Sequence, residues 1–255
     1  NVAKGTITVT GNGVNATGTE MADLFARSVV LNAELKAKQL RIVTGHNKVK
    51  YDTNGNSIGY STLAGEGEAP RLALDVSALG SMYANAIRME GSEEGVGVNV
   101  AGTVAAADSA SMTTAGAMRI AQGGVVMADS QVDLTVGSNL TNDGTIASNG
   151  WFSAGSTGRD KGKNTTFHAS ENSWIIARNK SYVFDSEMLE GNNGERPDVL
   201  KNLPKRIEDP SNPPPTNNPP PANNPPPAND PPPANNPPPA NNPPPANDPP
   251  PANNP

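Results

Sequence analysis

The apolar positions of this chain fall in short alternating runs, not in long helical stripes. Residues 5 to 18, GTITVTGNGVNATG, set Ile7 and Val9 between threonines before Gly and Asn break the run. That is the pattern of a short strand and a turn. Residues 20 to 45 open with Leu24, Val29, Leu31 and Leu35 at spacings a helix also uses. The strand reading is preferred, because Val29 and Leu31 alternate, then Leu35 and Ala37, then Leu40 and Ile42 with Val43, and Gly45 closes the run. Six further strand-like pieces follow, at 72–76, 86–90, 96–100, 117–121, 125–129 and 132–136, most of them separated by Gly, Ser, Asn or Asp.

Two of these units are related. Gly102-Thr103-Val104 and Gly144-Thr145-Ile146 lie 42 residues apart, a spacing that two coils of about 21 residues would fill. A single coil cannot bury its own apolar face. Coils stacked at about 4.8 Å give every backbone a partner above and below and align Val, Ile, Leu and Ala in an interior column. The pattern therefore predicts an all-β solenoid over most of residues 1 to 185.

The remaining segments depart from that pattern. Residues 46 to 70 form a polar insertion in which Asn54-Gly55 signals a turn and Tyr51 and Tyr60 flank a hairpin expected to project from the body. Residues 151 to 185 hold Trp151, Phe152, Phe167, Trp174, Tyr182 and Phe184, six of the ten aromatics in the chain. They are expected to cap the open end of the last coil; an aromatic ligand platform is the rival reading. Residues 186 to 212, charged and interrupted by Pro197, Pro204 and Pro210, read as a linker. From Pro213 the motif PPP(A/T)N(N/D) repeats seven times and takes 22 of the 26 prolines. Such a segment favours an extended polyproline II conformation and, at about 3.1 Å per residue, would reach on the order of 130 Å as a semi-rigid stalk.

Composition supports the strand reading and removes several functions. Aromatics are 4% of a chain with 25 glycines, poor material for a helical bundle. The net charge of −6 and pI near 5.0 argue against a nucleic-acid partner; the one basic cluster, Arg159, Lys161 and Lys163, reads as a solvated loop. There is no cysteine, hence no disulfide, thiol nucleophile or zinc-thiolate site. No apolar run is long enough for a transmembrane helix. The chain begins with Asn1, read as a cut end with any export signal upstream.

Two stretches carry a resemblance to a known family. Asp23 to Asn47, DLFARSVVLNAELKAKQLRIVTGHN, resembles the later part of the secretion domain of two-partner-secretion exoproteins. Leu72 to Val104, LALDVSALGSMYANAIRMEGSEEGVGVNVAGTV, is similar to the region that follows it in filamentous haemagglutinins and contact-dependent inhibition toxins. The resemblance covers roughly residues 1 to 150 and weakens toward 185. It implies a right-handed parallel β-helix, passage through the periplasm, and export by an outer-membrane transporter partner to the cell surface or medium. On this reading residues 1–70 are the C-terminal part of the secretion domain and residues 71–150 are haemagglutinin-type coils. The family's early Asn-Pro-Asn motif is absent, so the chain reads as starting after it.

No catalytic set emerges. His46 and His168 both lie in polar settings, and no nucleophile elbow, phosphate loop or metal motif is present. The spacing of Asp108, Asp129 and Asp133 does not match the 21-residue stack, and they read as corner residues, not as the clustered carboxylates of a polysaccharide-active β-helix. Asn15, Asn139, Asn164 and Asn179 head Asn-X-Ser/Thr sequons and are candidate glycosylation sites. No catalytic, cofactor or metal residue is assigned. The leading expectation is a secreted or surface-displayed adhesin that binds a receptor or glycan on host or neighbouring cells. Its solvent-facing strands and insertions such as 46–70 would do the binding. The stalk of a contact-dependent growth-inhibition toxin is the alternative, although the Val-Glu-Asn-Asn pretoxin marker is missing. A glycan-active enzyme is the third reading.

Overall fold

The computed structural model describes residues 1–53, 57–157, 164–190, 192 and 194–208. It is a parallel β-solenoid of eight coils with three faces, the eighth coil contributing a strand to the first face alone. The first face stacks β1 (Thr6–Val9), β3 (Ser28–Leu31), β7 (Leu72–Val76), β9 (Gly97–Val100), β11 (Met118–Ile120), β14 (Leu140–Asn142), β17 (Thr166–Ala169) and β20 (Ser186–Leu189). The second and third faces share one sheet. In the early coils one long strand turns the corner between them: β2 (Val14–Ala26), β4 (Glu34–Thr44), β8 (Ser81–Gly91) and β10 (Thr103–Thr114). In later coils the strand splits at the corner, giving β12 (Val125–Ala128), β15 (Thr145–Ser148) and β18 (Trp174–Ile176) on the second face. The third face continues with β13 (Gln131–Val136), β16 (Trp151–Ser156) and β19 (Asn179–Val183). The insertion forms the one antiparallel pair of strands among the described residues, β5 (Asn47–Tyr51) with β6 (Ser57–Thr62).

Parallel register makes the interior a set of columns. Ile7, Val29, Leu74, Val98, Met118, Leu140 and Phe167 stack on the first face. On the third, Ile42, Met89, Met112, Leu134, Ala154 and Tyr182 stack in the same way. Near the corner the column is narrow and takes small residues, Ala84, Ala106, Ala128 and Ser148. The Gly-Thr-aliphatic spacing has its cause here. Gly80, Gly102, Gly124 and Gly144 sit one per coil, and each carbonyl accepts the N–H that opens the next coil's strand. A Cβ on Gly102 would stand 2.0 Å from the Gly80 carbonyl oxygen, and one on Gly144 would stand 2.3 Å from that of Gly124. The middle coil carries Gly124-Val125-Val126, so the 42-residue interval is two coils.

The end of the stack differs from expectation in two ways. Phe152 and Phe167 are fully buried inside the stack, with Tyr182 and Phe184 packed on them; Phe167 lies 6.3 Å from Phe152 and 5.3 Å from Tyr182, edge to face. Trp151 and Trp174 take no part, because strand alternation turns them outward. Two of the interior columns finish on charges: Lys180 follows Phe152 and Glu187 follows Phe167, both exposed. Residues 186 to 208 are not a linker. Ser186–Leu189 is β20, and a later segment with the 3₁₀ turn Val199–Asn202 packs on the second face, because its Val199, Leu200 and Leu203 have apolar surface to cover. The Asn54-Gly55 turn, the Arg159 cluster and the proline repeat lie outside the described residues.

Candidate functional site: the groove beside the insertion hairpin

The hairpin is the place where the chain leaves its coil pattern, and a buried clasp holds its base. Asn47 pairs with Val2 through both backbone bonds, 2.7 and 2.9 Å. Arg27 reaches across to Glu93 with Nε and Nη2, at 3.2 and 2.9 Å, and its Nη1 donates to the Glu66 carbonyl at 2.7 Å. His46 Nδ1 stands 3.6 Å from the same carboxylate, and its Nε2 is buried without a hydrogen-bond partner. Gly65 lies against the imidazole so closely that a Cβ there would meet His46 Cε1 at 1.9 Å. One cation and one carboxylate thus tie the return segment of the insertion, residues 66 and 67, to the solenoid.

Held this way, the hairpin leans over the third face and does not project freely. Between them runs a groove of about 750 Å³ lined by Met21, Phe25, Arg41, Gly59, Tyr60, Arg88, Glu90, Ser109 and Ser111 among others. The face supplies the charge. Arg41 forms a two-pronged pair with Asp23, Nε to Oδ1 at 2.9 Å, and lies 5.5 Å over the Phe25 ring. Arg88 donates to Glu90. The hairpin supplies Tyr60, which pairs across the ladder with Val49. Burial, and then a hydrogen bond to Glu90, push its phenol well above the ordinary tyrosine range. The groove therefore presents two guanidinium groups balanced by two carboxylates, serine hydroxyls and aromatic edges. It is a hydrogen-bonding surface with no strong net charge.

The other residues singled out in the sequence are scattered. His168 sits on the first face, between Thr141 and Met188 in neighbouring coils, far in sequence from the His46 clasp. Asp108 and Asp129 do share a corner in consecutive coils, contrary to the spacing argument; Asp108 accepts from Ser130 Oγ at 2.8 Å and Asp129 from Asn149 at 2.7 Å. Asp133 stands apart on the third face and accepts from Gln131 and Ser153. Among the described residues no group of three or more His, Asp or Glu could hold a metal ion. Asn15, Asn139 and Asn164 are exposed, whereas Asn179 is half-buried beside Trp151. Sequence reading named the hairpin and Tyr60 but not Asp23, Arg41, Arg88 or Glu90. Alternation marks those four as solvent-facing, and only the stack shows which of them adjoin.

Comparison with known proteins gives the class. The TPS secretion domain family matches residues 1–120. That domain, with the relatives below, supports a piece of a two-partner-secretion exoprotein and indicates secretion across the outer membrane to the cell surface. It is 36% identical over 154 residues, 57% of its length, to a 16S rRNA endonuclease CdiA of Enterobacter cloacae subsp. cloacae. It is 44% identical over 106 residues, 42% of its length, to a tRNA nuclease CdiA-2 of Burkholderia pseudomallei. With a toxin CdiA of Yersinia pestis it shares 36% over 149 residues, 58% of its length. These matches span only 3 to 4% of the relatives' own lengths. No solved structure matches the chain. No helix among the described residues is long and apolar enough to cross a membrane.

Proposed function

We propose that this chain is the export and display base of a non-catalytic surface adhesin. Its secretion domain engages an outer-membrane transporter of the two-partner type, and its folded solenoid binds a receptor or glycan on host or neighbouring cells. The observation that carries the binding half is the groove under the hairpin, where Tyr60, Arg41, Arg88 and Glu90 face one channel. Aromatic edges with paired charges suit hydroxyl-rich ligands, which need directional donors and acceptors and an apolar floor. Binding of purified chain to cells and to immobilised glycans tests this. A Tyr60→Ala, Arg88→Ala double variant is expected to lose roughly tenfold in affinity or more, about 1.4 kcal/mol, with an unchanged β-type circular dichroism spectrum. Equal binding by the variant would move the site elsewhere. Polysaccharides incubated with the chain, with and without Ca²⁺, are expected to show no turnover; any turnover would overturn the non-catalytic reading.

A second reading, the stem of a contact-dependent inhibition toxin, is favoured by one observation: the relatives named above carry toxin or nuclease names. The parent gene distinguishes the two. A compact, compositionally distinct downstream domain followed by a small immunity-like reading frame supports the toxin stem; an adhesin has neither. The exposed sequons at Asn15, Asn139 and Asn164 are proposed as modification sites, and the intact mass of protein purified from its own host reads this directly.

A further inference from the structure

After the last strand the chain doubles back along the solenoid. The second face carries an outward column, one residue per coil: Tyr83, Ala105, Met127, Ala147 and Ile176, in direct register. Outward residues of a single-layer solenoid normally face water. Here Ala105, Met127, Ala147 and Ile176 are all buried, at 5% exposure or less, and Val199, Leu200 and Leu203 pack against them. The far end of this strap is fixed at Asn85, a corner residue in the third coil that is 5% exposed. The Asn85 side-chain amide donates to the Ile207 carbonyl at 2.8 Å and accepts from the Ile207 N–H at 2.7 Å. One side chain thus satisfies both backbone groups of the strap, as a neighbouring strand would.

The sequence of the strap is made for this. Pro197, Val199, Leu200, Leu203, Pro204 and Ile207 are half-buried, and the residues between them are exposed. Its two prolines, lacking N–H groups, keep it from joining the sheet as another strand. We propose that residues 197–207 are a docked peptide that braces the solenoid lengthwise, and that the outward column with Asn85 is its binding groove. In a stack of coils each unit touches only its neighbours, so coils at an end open independently of those in the middle. The strap touches the third to the seventh coils at once and couples their opening.

Hydrogen exchange on the whole chain tests the brace. Asn85→Ala removes the anchor in the third coil and touches nothing in β18 or β19. It is expected to speed exchange of the β18 and β19 amides by about tenfold, together with that of 199–207. Leu203→Asp puts a charge against the apolar column and is expected to do the same, and also to loosen the corner around Asn85. Both variants retain every interior column, so the early coils should keep their protection. Exchange changes confined to 84–86 and 203–208, with β18 and β19 unmoved in both variants, would overturn the proposal and leave the strap a passive cover.

Discussion

At the scale of single residues, the solenoid is limited by how closely coils approach and by what fills them. A Cβ on Gly124 would lie 2.2 Å from the Val100 carbonyl oxygen of the coil below. Gly124→Ala is therefore expected to cost about 1–3 kcal/mol, as overpacking does, and a urea melt reads it. Phe152, fully buried between Val132 and the seventh coil, loses both its own burial and the support of Phe167 when cut back. Phe152→Ala should cost about 3–5 kcal/mol. Tyr182 gives a pH signature. Burial, and then the Glu187 carboxylate, raise its phenol to about 12 from an ordinary 10. The folded state thus holds the proton more tightly than the unfolded one. Its contribution is fully present below about pH 10 and is lost as pH rises toward about 12. Alkaline melts of the native chain and of Tyr182→Phe should diverge over that window; parallel curves would mean that the ring is not buried in solution.

At the scale of elements, much was legible. Short alternating runs give strands because alternation needs only local sequence. All six pieces from 72–76 to 132–136 overlap strands, and from Leu24 to Val43 the alternating Leu, Val and Ile positions all lie in strands. The Gly-Thr-aliphatic interval gave the coil length because the glycine ladder recurs once per coil. The strap was missed because its signal is not periodic: two prolines and scattered charge look like a linker until Ala105 and Ala147 are seen to lie in one outward column. The groove was half legible. Polarity and the Asn-Gly pair marked a hairpin, whereas the Arg27–Glu93 clasp that tilts it joins residues 66 apart in sequence. Because that hairpin hangs on its base and not on the columns, replacing residues 48–61 by a short Gly-Ser link should leave the thermal midpoint of the coils unchanged within about 2 °C while removing groove-dependent binding. A large fall in midpoint would mean that the hairpin is part of the folding core.

At the scale of the whole molecule, a solenoid must stop without offering its last coil as a template. Exposed edge strands recruit other chains unless charge blunts them. Here two of the interior columns end on charge, at Lys180 and Glu187, while Leu189, Met188 and Val183 nearby are exposed. Lys180→Leu with Glu187→Leu should extend the apolar columns to the tip and produce concentration-dependent end-to-end association in sedimentation velocity, where the native chain is expected to show none. The strap adds a different kind of ending. Its groove does not exist in any one coil; it is assembled from residues contributed by five. A slip of one residue in any of them turns Met127 or Ala147 inward and a core residue outward. The segment at 197–207 then finds no continuous seat. As the coils wind in chain order, the strap would thus inspect the register of those wound before it, and only a correctly wound body can seat it.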